Sequence, residues 1–283
     1  MMRAAPAGAV PAVVAGAAAR AVWRHRGRIP GLREQTRWVR VNHRQRTVHL
    51  GEGVAWAAGA AAGLACAPGL GGRHRAGALA GLAGAATFGV IDDLGDRHSA
   101  KGIHGHVGAL ARGEVTTGLL KVFGIGAAAF GASQLVDRRA GLADTVIGTG
   151  IVAGAANFAN LLDLRPGRAI KAGLAAAGLL AAAHPGDRQT LAGAGAAAGA
   201  SLALLGTDLA EEGMLGDAGA NALGAVLGVT AIVAMRPAPA ARAPRAATLA
   251  LLTAAILASE KVSFTAVIES TPVLRELDAW GRN

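Results

Sequence analysis

The sequence predicts an all-α fold: one polytopic membrane domain over residues 1–283, a helical bundle with about nine transmembrane helices at the ~20 apolar residues each crossing needs. Three observations predict it. The chain is 52% hydrophobic and 16% charged, with a mean hydropathy of +0.40, more apolar than a soluble domain requires. Apolar windows of about 17–25 residues recur along its length. The segments between them, such as "APGLGGRHR" (67–75), "DRRAG" (137–141), "HPGDR" (184–188) and "RPAPAARAPR" (236–245), are short connectors built from turn-forming residues, and none reads as a linker between soluble domains.

Taken in order, the first window, 4–23, is interrupted by Pro6 and Pro11 and preceded by Arg3, which gives it a signal-peptide look, although a typical signal core is more apolar. Residues 24–50 then form a basic loop, with nine arginines between Arg20 and Arg46. The net charge of +10 is concentrated there, beside an apolar window, which argues for the anionic cytoplasmic leaflet and against a nucleic-acid partner. Whether the loop is merely solvated or also binds phosphate stays open at this level. The remaining windows fall at 51–68, 75–91, 117–136, 141–160, 168–184, 188–206, 218–235 and 245–259. Their apolar content is mostly Ala, with 42 Gly in the chain, which favours close contact between helix backbones. With no Tyr and only 3% aromatic residues, there is little of the usual interfacial belt. A single cysteine, Cys66, excludes a disulfide framework or a CxxC metal site. Residues 260–283 are too polar to span; Thr271-Pro272 reads as a helix start, and Val273, Leu277 and Trp280 share a face. That segment is expected to lie on the cytoplasmic surface or to pack against the bundle.

Chemistry-bearing residues gather at the window ends. "GVIDDLGD" carries Asp92, Asp93 and Asp96; "NFANLLDLRPGR" carries Asn157, Asn160 and Asp163; "MLGDAGANALG" carries Asp217, shortly after Asp208, Glu211 and Glu212. Each segment lies two windows beyond the last. An even number of crossings would bring the loops 92–116, 161–167 and 207–217 to one face, which the basic loop would make cytoplasmic. Acids bordering a span are costly to desolvate and persist where a cavity, partner or metal receives them. The neighbouring Asp92 and Asp93 need a neutralising cation or a shared proton. Mg²⁺ commonly takes one or two protein carboxylates and completes its shell with water and phosphate oxygens. Arg165, Arg168 and Lys171 are suited to a diphosphate or, more plainly, to a helix end. Gly216 and Gly219 flank Asp217, where the missing side chains would let a ligand approach. His98, His104 and His106 read as ordinary loop residues, no recognised zinc spacing being present.

In this order and placement, the three motifs resemble those of the polyprenyl-phosphate N-acetylhexosamine-1-phosphate transferase superfamily, the MraY/WecA type of glycosyltransferase family 4, over roughly residues 40–230. The resemblance implies a multi-pass enzyme of the bacterial inner membrane, with its active site on the cytoplasmic side. Such an enzyme moves a phospho-sugar from a UDP-sugar to a polyprenyl phosphate, releasing UMP, for cell-envelope glycan or peptidoglycan synthesis. It implies Mg²⁺ as cofactor, membrane lipid as surroundings and a homodimer as a candidate assembly. Asp92 and Asp93 match the family's catalytic pair; Asp93 and Asp217 match its metal-binding aspartates. Asn157, Asn160 and Asp163 match the family's segment that lines the nucleotide and metal pocket, and Asp96, Arg168 and Lys171 beside these motifs are taken as further substrate-binding residues.

Three departures accompany the match. Pro166 stands where the family has a second nucleotide-site aspartate, Met214 where an aromatic is expected, and "SEKVSFTAVIES" where its last cytoplasmic loop carries a histidine-rich motif. They leave two branches open: a changed donor, or a non-catalytic relative that binds lipid phosphate or an envelope-synthesis partner. An ion transporter is the rival from another class, but its acids should sit near the membrane midplane on interrupted helices, not at window ends.

Overall fold

A computed structural model describes residues 7–95, 116–138, 141–236 and 242–282. The loop carrying Asp96, His98, His104 and His106 lies outside the described residues. The described residues form twelve α-helices and one small hairpin. Helix α1 (Ala9–His25) leads through a 3₁₀ turn into α2 (Gln35–Trp38) and the antiparallel strands β1 (Val39–Val41) and β2 (Thr47–His49). The bundle follows with α3 (Gly51–Ala65), α4 (Gly72–Leu94), α5 (Thr117–Val136), α6 (Leu142–Leu162), α7 (Arg168–Ala183), α8 (Arg188–Leu209), α9 (Gly216–Ala234) and α10 (Arg242–Ser259). Short helices α11 (Phe264–Ser270) and α12 (Pro272–Ala279) end the chain.

Helix α9 is the axis. Its sequence is apolar on every side, and it is buried almost continuously from Gly216 to Val233, packed against α3, α4, α6 and α8. Small residues make these crossings close. A Cβ on Gly53 of α3 would come 3.0 Å from the Gly219 Cα of α9, and one on Gly228 would come 2.8 Å from the Val152 Cα of α6. Helices here touch through their backbones, as expected where lipid removes the hydrophobic drive and dispersion contacts must replace it. Outside the bundle, Val122, Phe123, Val146, Leu179, Leu202 and Leu251 are exposed, a surface suited to hydrocarbon.

The expectation of nine spans is corrected. Among the described residues, five helices, α4, α5, α6, α8 and α9, are long and apolar enough to cross a membrane, and a sixth span is reached only by joining α10 to α11 across a 94° bend. These candidates point to a multi-pass membrane protein. Helices α1, α3 and α7 have 17, 15 and 16 residues. At ~1.5 Å per residue, each falls short of the ~30 Å hydrocarbon thickness. The apolar windows overran the helices because window hydropathy does not mark where a helix ends: window 51–68 includes Cys66, Ala67 and Pro68, which lie beyond the end of α3. Counting crossings therefore cannot place the acidic segments on one face. Packing does, because α4, α6 and α8 end, and α5, α7 and α9 begin, at the same end of the bundle.

Candidate functional site

Asp93 explains why the apolar run of α4 stops on carboxylates. Its Oδ1 accepts the backbone N–H of Asp217 at 3.1 Å and its Oδ2 that of Ala218 at 2.9 Å, so the side chain caps the N-terminus of α9. First-turn amides of a helix have no internal partner and carry partial positive charge, an arrangement that holds a carboxylate well. The approach depends on Gly89, one turn earlier, where a Cβ would lie 2.6 Å from the Ala218 Cα.

Two further carboxylates are held by backbone in the same way, each with one oxygen left over. Asp208, at the end of α8, accepts the N–H of Gly167 at 2.8 Å on Oδ1. Asp163, just past α6, accepts the N–H of Gly216. Gly167 and Gly216 adopt φ of +72° and +59°, a left-handed conformation natural to glycine and costly for other residues. Asp163 Oδ2 and Asp208 Oδ2 are buried without a hydrogen-bond partner, as are both oxygens of Glu52, which lies within reach of the Asp208 and Asp163 charges. Burial, and then the nearby Asp208, push the Asp163 carboxyl well above the ordinary range, against the pull of the Gly216 amide. Orphaned buried oxygens cost stability, and they are retained where a ligand answers them.

Asp93, Asp163, Asp208 and Asp217 all line one cavity of about 410 Å³. On its flank, the Lys121 ammonium of α5 donates to Asp92 Oδ2 at 2.6 Å and to Asp217 Oδ2, joining the two carboxylates. Asp92 and Asp217 are only about one-fifth exposed, so Lys121 supplies the neutralising charge that a carboxylate cluster requires.

The basic loop 24–50 is more than a solvated segment. Its hairpin covers the cavity with Arg40, Asn42 and His43 and is clamped by Glu211, which receives Arg44 at 2.9 Å, Arg46 at 3.4 Å and the amide of Asn42. Glu211 is 5% exposed and takes φ +58°, uncommon for a residue with a side chain, so the clamp carries backbone strain. Strand β2 continues onto the α8–α9 connection: His49 N–H reaches Glu212 O at 3.2 Å, and a parallel bridge joins His49 to Gly213. His43 is lowered from the usual histidine range by burial and then by Arg165, with Glu211 opposing, so a neutral imidazole faces the cavity at pH 7.

The structure thus brings Asp92, Asp93, Asp163, Asp217 and Asn160 together. Asp92 sits on the flank, outside the cavity lining, and Asn160 lines the cavity from the end of α6. Asn157 does not join them; it is exposed and absent from the lining. Arg168 and Lys171 turn toward the C-terminal segment, where Arg168 makes a two-pronged pair with Asp278 and the Lys171 ammonium donates to backbone carbonyls. Gly219 faces α3, so its missing side chain serves helix packing and not a ligand. Pro166 and Met214 line the cavity where the resemblance would place polar and aromatic groups. Met214 also packs on the small cluster of Leu32, Trp38 and Leu50 beneath the hairpin. Lys121 and the clamp on Glu211 escaped the sequence reading, since no spacing links positions so far apart; Asp208 was visible as an acid ending an apolar run.

Among the described residues, no three carboxylate, histidine or cysteine side chains are grouped to hold one metal ion. Asp93 commits both oxygens to backbone amides, and Asp217, which lines the cavity, gives Oδ2 to Lys121. Asp163 and Asp208, which line the cavity and each keep one buried oxygen unanswered, have the chemistry to hold Mg²⁺, because Mg²⁺ is satisfied by one or two carboxylates when phosphate oxygens complete its shell. No known protein family matches the chain, and no curated protein is similar to it in sequence.

Proposed function

We propose that this chain is a membrane phosphotransferase of the polyprenyl-phosphate phospho-sugar type, acting at the cytoplasmic face of a bacterial inner membrane. The observation that carries the reading is the meeting of three motifs, far apart in sequence, around one cavity with two unanswered carboxylate oxygens. Phosphoryl transfer asks a protein mainly for positioning and charge neutralisation. The cavity under the basic hairpin receives the nucleotide diphosphate sugar, with Arg40 and Arg165 on its wall to meet phosphate oxygens and Asn160 to meet a hydroxyl. Mg²⁺ held by Asp163 and Asp208 would supply charge neutralisation for the diphosphate. Lys121 draws the acceptor phosphate to the flank, and Asp92 takes its remaining proton. An acceptor oxygen then forms a bond to the sugar-bearing phosphorus as the bond from that phosphorus to the bridging oxygen breaks, and the nucleoside monophosphate leaves. Asp93 acts as a positioning residue by holding the first turn of α9 under Asp217.

The test is incubation of purified protein in detergent with undecaprenyl phosphate, Mg²⁺ and a panel of nucleotide sugars. Nucleoside monophosphate release that disappears in Asp92→Asn and Asp217→Asn supports the reading; no release from any donor refutes it. One observation favours a second reading, a non-catalytic relative that binds lipid phosphate: the Lys121 ammonium bridges Asp92 and Asp217 and offsets one of their two charges. Retained binding of undecaprenyl phosphate in an inactive protein would select that alternative.

A further inference from the structure

The C-terminal segment closes over a second cavity, of about 430 Å³, whose walls are the apolar Leu162, Leu174, Leu205 and Ile268 and whose charged edge is Arg168 and Lys171. Arg168 is 5% exposed, and its Nε and Nη2 reach the two oxygens of Asp278 at 2.7 and 2.9 Å. Lys171 Nζ donates to the carbonyls of Leu277 at 2.9 Å, Asp278 at 2.6 Å and Trp280 at 3.2 Å. Arg282 adds a bond of 2.7 Å to Asp278 Oδ1 and reaches back to the carbonyl of Pro166 at 2.8 Å. Two cations fixed on α7 are therefore served by a carboxylate and carbonyls from the chain's own end. A guanidinium fork that fits a carboxylate also fits a phosphate.

We propose that α12 is a displaceable strap: Asp278 occupies, in cis, an anion site on Arg168 and Lys171 that otherwise takes the phosphate headgroup of a lipid, whose hydrocarbon tail enters the apolar cavity beneath. The cavity argues for a tailed ligand, since a free anion would leave its apolar walls unused. The strap has somewhere to go. Val273, outside the cavity lining, is 66% exposed while the strap is docked, and Leu277 and Trp280, which border the cavity, are still 61% and 70% exposed; with Arg275 beside them, these apolar side chains suit the membrane interface on release. Asp278 is also poised to compete by charge and not by pH: burial raises its carboxyl, but the bonds from Arg168 and Arg282 outweigh this and hold it at about 2, ionised throughout the physiological range. The inference stands apart from the phosphotransferase reading, because anion site and strap exist whatever reaction the first cavity serves.

The test uses the full chain in detergent, in a Cys66→Ser background, with a spin label on Glu276→Cys. Dioctanoyl phosphatidic acid should mobilise the label; dioctanoylglycerol, which has the tails without the phosphate, should not, and inorganic phosphate should act only at much higher concentration. Asp278→Asn should tighten phosphatidic acid binding about tenfold, and Arg168→Gln should abolish it. A label that phosphatidic acid leaves immobile, or that dioctanoylglycerol mobilises equally, overturns the strap. Equal potency of inorganic phosphate overturns the lipid assignment. The label on otherwise unaltered protein decides these points even if neither charge variant folds.

Discussion

The two ends of this bundle treat part of their buried charge in opposite ways. At the end where α5 and α9 finish, Arg245 and Asp137 are both fully buried and fully answered: the guanidinium meets the carboxylate at 2.7 and 3.1 Å and the carbonyls of Met235 and Ile232 at 2.7 Å each. Arg242 likewise grips Asp144, and Asp187 caps α8 while receiving Arg236. At the acidic end, Asp163, Asp208 and Glu52 keep buried oxygens that nothing answers. A buried pair with complete hydrogen bonding pins helices together; a buried acid without a partner is a deficit that ligand binding repairs. Stability is concentrated at one end and binding capacity at the other.

That contrast breaks most sharply at Arg245. Arg245→Ala strands Asp137 in a dry site and should cost about 3–5 kcal/mol, seen as a large fall in the thermal midpoint in detergent. Replacing both members, with Arg245→Met and Asp137→Leu, should restore much of the loss, and a double variant as unstable as the single one would remove the ion-pair account. The acidic end should respond in reverse. Asp208→Asn keeps an acceptor for Gly167 while removing an unanswered charge, so the midpoint should hold or rise even as nucleoside monophosphate release falls at least about 100-fold. A stability loss as large as that of Arg245→Ala would show that the two ends do not differ. The smallest effect concerns the strap. Asp278 is lowered on folding from 3.8 to about 2, so its contribution is fully present above about pH 4 and is lost as the pH falls toward 2. The label at position 276 should therefore stay immobile from pH 7 to about 4 and loosen only below that.

Much of this organisation was legible in the chain. The apolar windows located the helices, since an Ala-rich run between Gly and Pro punctuation has few other ways to satisfy its backbone. They miscounted the spans because window hydropathy does not register where a helix stops. Asp93 and Asp163 stood out as acids at the end of apolar runs and Asp217 as one at the start of another, and they do converge. Their partners did not stand out. Lys121 is a single cation in a helix, and Arg245 sits in a Pro-rich stretch that reads as a connector. Asn157 was selected as part of the motif that the resemblance matched, yet a motif fixes only positions along α6, and the side chain lies exposed.

Composition by itself determined the solvent the chain was built for, and helix periodicity set which segments would regularise, because both follow from local backbone satisfaction and average polarity. The division of labour among the charges was decided only in three dimensions. Whether a carboxylate caps a helix, pairs with a cation or keeps an empty lone pair depends on which donor packing brings within about 3 Å. Residues a hundred positions away supply those donors: Asp217 and Ala218 for Asp93, Arg245 for Asp137, and Asp278 as the acceptor for Arg168.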